Sequence, residues 1–71
     1  MDKEFVEKLG KNIQRLRKLK RLTQDDLGIN GVSRQMISLL ELGKTDVTSS
    51  KLKIIASNLN LNVKDLFDFE W

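Results

Sequence analysis

Four side chains are spaced to contact a partner together. Arg34, Gln35, Ser38 and Leu39 fall at intervals of one, three and four, so a helix beginning near Ser33 carries them on one outward face. A guanidinium and a carboxamide side by side at a helix start are the groups that read base edges in a major groove. Arg matches guanine O6/N7 and Gln matches adenine N6/N7. Taken alone, the same residues describe a solvated polar face better than a base-reading one.

No comparable set supports catalysis. The chain has no His and no Cys, which removes the commonest metal ligand and general base and any thiolate nucleophile. Asp25 and Asp26 are adjacent, so on a helix they diverge by about 100° and do not act as a pair. The expectation is no enzyme, no metal, no cofactor and no small-molecule ligand. Absent cysteine suits a reducing, cytoplasmic setting. No apolar run approaches a membrane span, and Met1-Asp2-Lys3-Glu4 does not read as a signal peptide. The formal net charge of +3 permits a nucleic-acid partner without demanding one. The distribution says more. Residues 8 to 21 carry Lys8, Lys11, Arg15, Arg17, Lys18, Lys20 and Arg21 and no acid, which is either a solvated surface or a phosphate-facing flank.

The elements that must position these groups are helices. Residues 4 to 20 read as the first, with Phe5 or Val6, Leu9, Ile13 and Leu16 as its apolar stripe. Thr23 as N-cap with Asp26 three residues on makes an acidic capping box for the second. There Leu27 points inward, and Gly28 leaves room for a neighbouring helix. Asn30-Gly31 is a turn signal. Ser33 caps the third helix and Gly43 stops it, with Val32, Ile37 and Leu40 inward. A loop spans 43 to 47. Thr48 or Ser49 opens a fourth helix to about Asn60, with Leu52, Ile55, Ala56 and Leu59 as its stripe. Asn62 caps a last short helix with Asp65 at its third position, and Val63, Leu66 and Phe67 are available to close the core. The 71 residues form a single all-α domain of about five short helices, 1–71. A short pair joined by a tight turn, the second helix opening on Arg and Gln, is a helix-turn-helix. The first helix of such a pair rests its N-terminus near a phosphate, and Gln24 sits at that point.

The residues Leu22-Thr23-Gln24, Leu27-Gly28, Gly31-Val32-Ser33-Arg34-Gln35, Ile37-Ser38, Leu40-Glu41 and Gly43-Lys44 are followed by Leu52, Ile55-Ala56, Leu59 and Leu66-Phe67. Together they resemble the Cro/repressor-like (XRE) helix-turn-helix family, from about Leu9 to Phe67, leaving 68–71 as a C-terminal tail. The resemblance implies a compact five-helix, lambda-repressor-like domain that binds double-stranded DNA, commonly as a homodimer on a palindromic operator. It implies that Gln24 and Lys44 meet phosphate, that Arg34, Gln35 and the Leu39 position face bases, and that Arg17 pairs with Glu41. Two departures stand out. Only Ile29 and Asn30 separate Gly28 from Gly31, where the family usually has three residues, so the second helix ends early or the turn is rebuilt. Leu39 occupies a position that is usually polar, where it either touches a thymine methyl group or forms an apolar edge with Leu42.

The expected function is therefore a sequence-specific transcriptional regulator, repressor-like. The alternative is a protein-interaction module of the same fold, an adaptor or antirepressor-like protein using the Leu39/Leu42 edge. Phe67, Phe69 and Trp71 are three of the four aromatic residues and lie within the last five positions. They either fold back over the core or form a two-fold dimer contact, and the dimer is the expectation.

Overall fold

The computed structural model describes residues 2–71, and all the regular structure in them is helical. Five helices follow in order: α1 (Lys3–Leu19), α2 (Gln24–Leu27), α3 (Arg34–Glu41), α4 (Ser49–Asn58) and α5 (Val63–Leu66). Each start has a local cause. Asp2 accepts a bond from the Phe5 amide, so α1 opens one residue earlier than its apolar stripe indicates. Thr23 and Asp26 form the reciprocal capping box, with bonds of 3.1 and 2.7 Å. The Thr23 amide, donating to the Asp26 carboxyl, holds it below the ordinary Asp range, with a smaller contribution from the Thr23 hydroxyl. Ser33 accepts from the Met36 amide, and Thr48, rather than Ser49, caps α4. At α5, Asp65 accepts from the Asn62 amide, while the Asp65 amide returns to the Asn62 carbonyl.

Three helices end alike. The Leu22, Lys44 and Leu61 amides reach back to the Arg17, Leu39 and Ala56 carbonyls, and the residue before each is left-handed. These are Schellman motifs, which satisfy carbonyls that would otherwise end without partners. Gly43 (φ 71°) fills the left-handed position after α3, whereas Arg21 (φ 58°) and Asn60 (φ 62°) fill it after α1 and α4.

The core is made by Leu9 and Ile13 of α1, Leu27, Val32, Ile37 and Leu40 of the α2–α3 unit, Leu52, Ile55, Ala56 and Leu59 around α4, and Leu66 of α5. Of the Phe5/Val6 pair, Val6 is buried. Val63, expected to help close the core, is exposed; Leu66 closes it, with Phe67 packed against its edge. Val63 is the first residue of α5, and its side chain falls on the outer side of that single turn.

Two buried groups hold α1 in place. At Gly10 the backbones of α1 and α3 cross so closely that a Cβ would run into the Leu40 carbonyl. Asn12 donates from Nδ2 to the Leu66 carbonyl (2.8 Å) and the Asp65 carbonyl (3.3 Å), satisfying the end of α5 from inside. Its Oδ1 accepts from Arg15 (2.8 and 3.2 Å), so one Asn ties α1 to α5 with its polar atoms bonded.

Candidate nucleic-acid interface

The α2–α3 connection is rebuilt rather than merely shortened. α2 is a single turn that stops at Leu27, and its Gly28 sits where the Arg34 amide approaches within 2.7 Å of the place a Cβ would occupy. Asn30 (φ 59°) and Gly31 (φ 99°) then take two consecutive positive-φ positions and reverse the chain within the two-residue gap. That leaves backbone carbonyls facing away from the pair, and α4 supplies their donors. Asn58 donates to the Leu27 and Ile29 carbonyls (both 3.1 Å) and accepts from Asn30 (2.9 Å). Lys51 donates to the Gly31 carbonyl (2.7 Å). The turn that leads into α3 is therefore pinned from α4, although the two are far apart in the chain.

At its other end α3 is pinned from α1. Arg17 and Glu41 form a two-pronged pair, Nε to Oε2 at 2.8 Å and Nη2 to Oε1 at 2.9 Å, and both residues are buried. The third guanidinium nitrogen donates to the Leu22 carbonyl at 2.8 Å. The hydrogen bond to Glu41 and its charge raise the Arg17 pKa further above its already high ordinary value, against the opposing effect of burial. Arg17 thus stays charged wherever the protein is folded. Glu41 Oε1 also accepts from Gln24 Nε2 at 3.1 Å, so one carboxylate joins α1, α2 and α3.

With both ends fixed, α3 presents its outward face beside the start of α2. Gln24, Arg34, Gln35, Ser38 and Leu39 line one shallow, open hollow at this junction. Arg34 is exposed and lies 3.5 Å, Nε to Oδ1, from the Asp25 carboxylate. Lys44 lies outside this hollow, where its amide closes the Schellman motif at the far end of α3, and is exposed. Leu39 and Leu42 are 45% and 62% exposed. Of the basic run from Lys8 to Arg21, Arg17 faces inward to Glu41, Arg15 bonds Asn12 and Lys8 pairs with Glu4 at 3.3 Å, while Lys11, Lys18, Lys20 and Arg21 are exposed.

The tail gathers elsewhere. Phe67, Phe69 and Trp71 cluster with Phe5 of α1, with ring centroids 5.1 to 6.0 Å from Phe5, and the Trp71 indole donates to the Phe67 carbonyl at 3.0 Å. Phe67 and Phe69 are half-buried, while Trp71 is 75% exposed. Phe5 therefore belongs with the tail, a partnership hidden in the sequence by more than 60 intervening residues. Asn58, Lys51 and Asn12 were equally hidden, since nothing near them in the chain marks their partners. Gly10 did carry a signal, a lone glycine inside an otherwise regular helical stripe.

Among the described residues there is no group of three or more acidic side chains able to hold a metal ion, and no helix is long and apolar enough to cross a membrane. No curated protein and no solved structure matches the chain. A family model described as helix-turn-helix does, over residues 13–66. That span runs from the second half of α1 through the end of α5 and takes in the pair, its rebuilt turn and the helices that pin it. The chain therefore belongs to the helix-turn-helix family of DNA-binding transcription regulators, in its Cro/repressor-like (XRE) form.

Proposed function

We propose that this regulator acts in the cytoplasm as a repressor-like homodimer that reads a palindromic operator with α3. The observation that carries the reading is the convergence of Gln24, Arg34, Gln35, Ser38 and Leu39 on one open hollow at the α2–α3 junction. In the major groove, Arg34 and Gln35 supply the paired donors and acceptors that distinguish guanine and adenine. Ser38 serves either, and Leu39 offers an apolar surface for a thymine methyl group. Gln24 spends one amide hydrogen on Glu41 and keeps the other for a phosphate. Lys44 meets phosphate beyond the far end of α3. The Arg17–Glu41 pair is structural, since both groups are buried on each other. Phe67, Phe69 and above all the exposed Trp71 supply the dimer contact.

Selection from a random duplex library, followed by footprinting, tests this directly. The expected product is a palindrome with half-sites about one DNA turn, ~34 Å, apart. A dimer making ~6–10 phosphate contacts should lose about 10³–10⁵ in affinity between 50 and 200 mM salt. The adaptor reading draws on the exposed Leu39 and Leu42. No selectable duplex, or an affinity indifferent to salt, would favour it.

A further inference from the structure

Asp25 is out of place on a surface built to meet DNA. It is exposed at the start of α2, next to Gln24, and the local capping does not use it, since Asp26 closes the box with Thr23. Its carboxylate faces Arg34 instead, 3.5 Å from Nε. A bare acid at this point repels the phosphates that a first helix approaches, so it weakens every duplex alike unless it does something for the reading itself.

The geometry suggests what that is. Asp25 approaches the Nε side of the guanidinium, and among the described residues no hydrogen bond engages the Nη1/Nη2 edge of Arg34. That free edge has the fork spacing that matches guanine O6/N7. We infer that Asp25 is a specificity-determining positioning residue: it turns Arg34 toward a base edge and makes a phosphate-only contact by Arg34 unfavourable. On a cognate site Arg34 keeps Asp25 on one side and guanine on the other. On a wrong sequence Arg34 can only swing to a phosphate, which breaks the pair and leaves the Asp25 charge uncompensated beside the backbone. The inference rests on the base-reading role proposed for Arg34.

Four proteins test it: the wild type, Asp25→Asn, Arg34→Ala and the double variant. Each is titrated with the selected duplex and with a shuffled duplex of the same composition at fixed salt. Thermal unfolding serves as a control that Asp25→Asn folds normally. An exposed pair is worth at most about 1 kcal/mol, roughly fivefold in affinity. Asp25→Asn should therefore bind the shuffled duplex about two- to fivefold more tightly while gaining nothing on the selected one, so that the specificity ratio falls. In the Arg34→Ala background the same change should strengthen both duplexes equally. A ratio that Asp25→Asn leaves unchanged, or lowers just as much without Arg34, overturns the inference while leaving the DNA-reading function standing. A wild type that prefers no duplex overturns that function and this inference with it.

Discussion

Arg34 and Lys44 are exposed cations at opposite ends of α3, and their surroundings give them different work. Arg34 shares its hollow with Gln35 and stands next to an acid, whereas Lys44 follows the helix alone. Arg34→Ala and Gln35→Ala should each cost ~1–3 kcal/mol of binding and relax preference at one base pair per half-site, whereas Lys44→Ala should weaken all sequences alike. Binding to a set of single-base operator variants separates the two, and an unchanged base preference in Arg34→Ala would make Arg34 a phosphate contact. Arg17 belongs to a different class of cation. Buried with Glu41, it leaves an uncompensated charge behind when removed, so Arg17→Ala should cost up to ~3–5 kcal/mol in thermal unfolding. A double-mutant cycle with Glu41→Ala should return a clear coupling energy; zero coupling would deny the pair. Gln24 loses its partner in Glu41→Ala, so in that variant operator affinity should fall with stability.

The helix-turn-helix is oriented by residues outside it. Asn58 satisfies two carbonyls of the α2–α3 turn and accepts from Asn30. Asn58→Ala takes the side-chain donor from both carbonyls, leaving Ile29 only the Val32 amide, and should destabilise the fold by ~1–3 kcal/mol, whereas its exposed neighbour Ser57→Ala should change little. Chemical denaturation of both checks this, and equal midpoints would show that water replaces the clamp. This scale also marks where a sequence can be read and where it cannot. The caps at Thr23 and Ser33, the stop at Gly43 and the inward stripes of α3 and α4 were legible, because each depends on residues close in the chain, while the α4 cap stayed open between Thr48 and Ser49. The missing residue between Gly28 and Gly31 marked the α2–α3 joint as altered, but left open whether α2 ends early or the turn is rebuilt. The clamp by Asn58, the Asn12 bonds to α5 and the choice of Val6 over Phe5 were not, because their partners lie 28 or more positions away and an Asn or Phe side chain does not announce its target. The Arg17–Glu41 pairing was anticipated only through family resemblance, for the same reason.

The whole molecule measures 26 × 20 × 19 Å, so two copies related by a two-fold axis can place their α3 helices about one DNA turn apart without a long linker. The aromatic cluster of Phe5, Phe67, Phe69 and Trp71 is the proposed seam, because folding on its own chain still leaves Trp71 largely in water. Removing Phe69 to Trp71 should shift the protein toward monomer in analytical ultracentrifugation and weaken operator binding, with helix content largely intact, since α5 ends at Leu66. Unfolding on truncation would instead make the tail part of the core, and a truncated protein that still dimerises would place the seam elsewhere.

Trp71 is the only tryptophan, and the chain has no tyrosine. Light absorbed selectively by indole is therefore absorbed at a single site, and that site lies at the proposed seam rather than at the DNA-reading face. The ring is mostly hydrated, with its N–H held by the Phe67 carbonyl. Burying it against a second copy should move its emission to shorter wavelength as concentration rises, and dilution should reverse the shift. The molecule thus carries its own unlabelled optical gauge of assembly, one in which base-reading variants such as Arg34→Ala should leave the protein-alone curve unchanged.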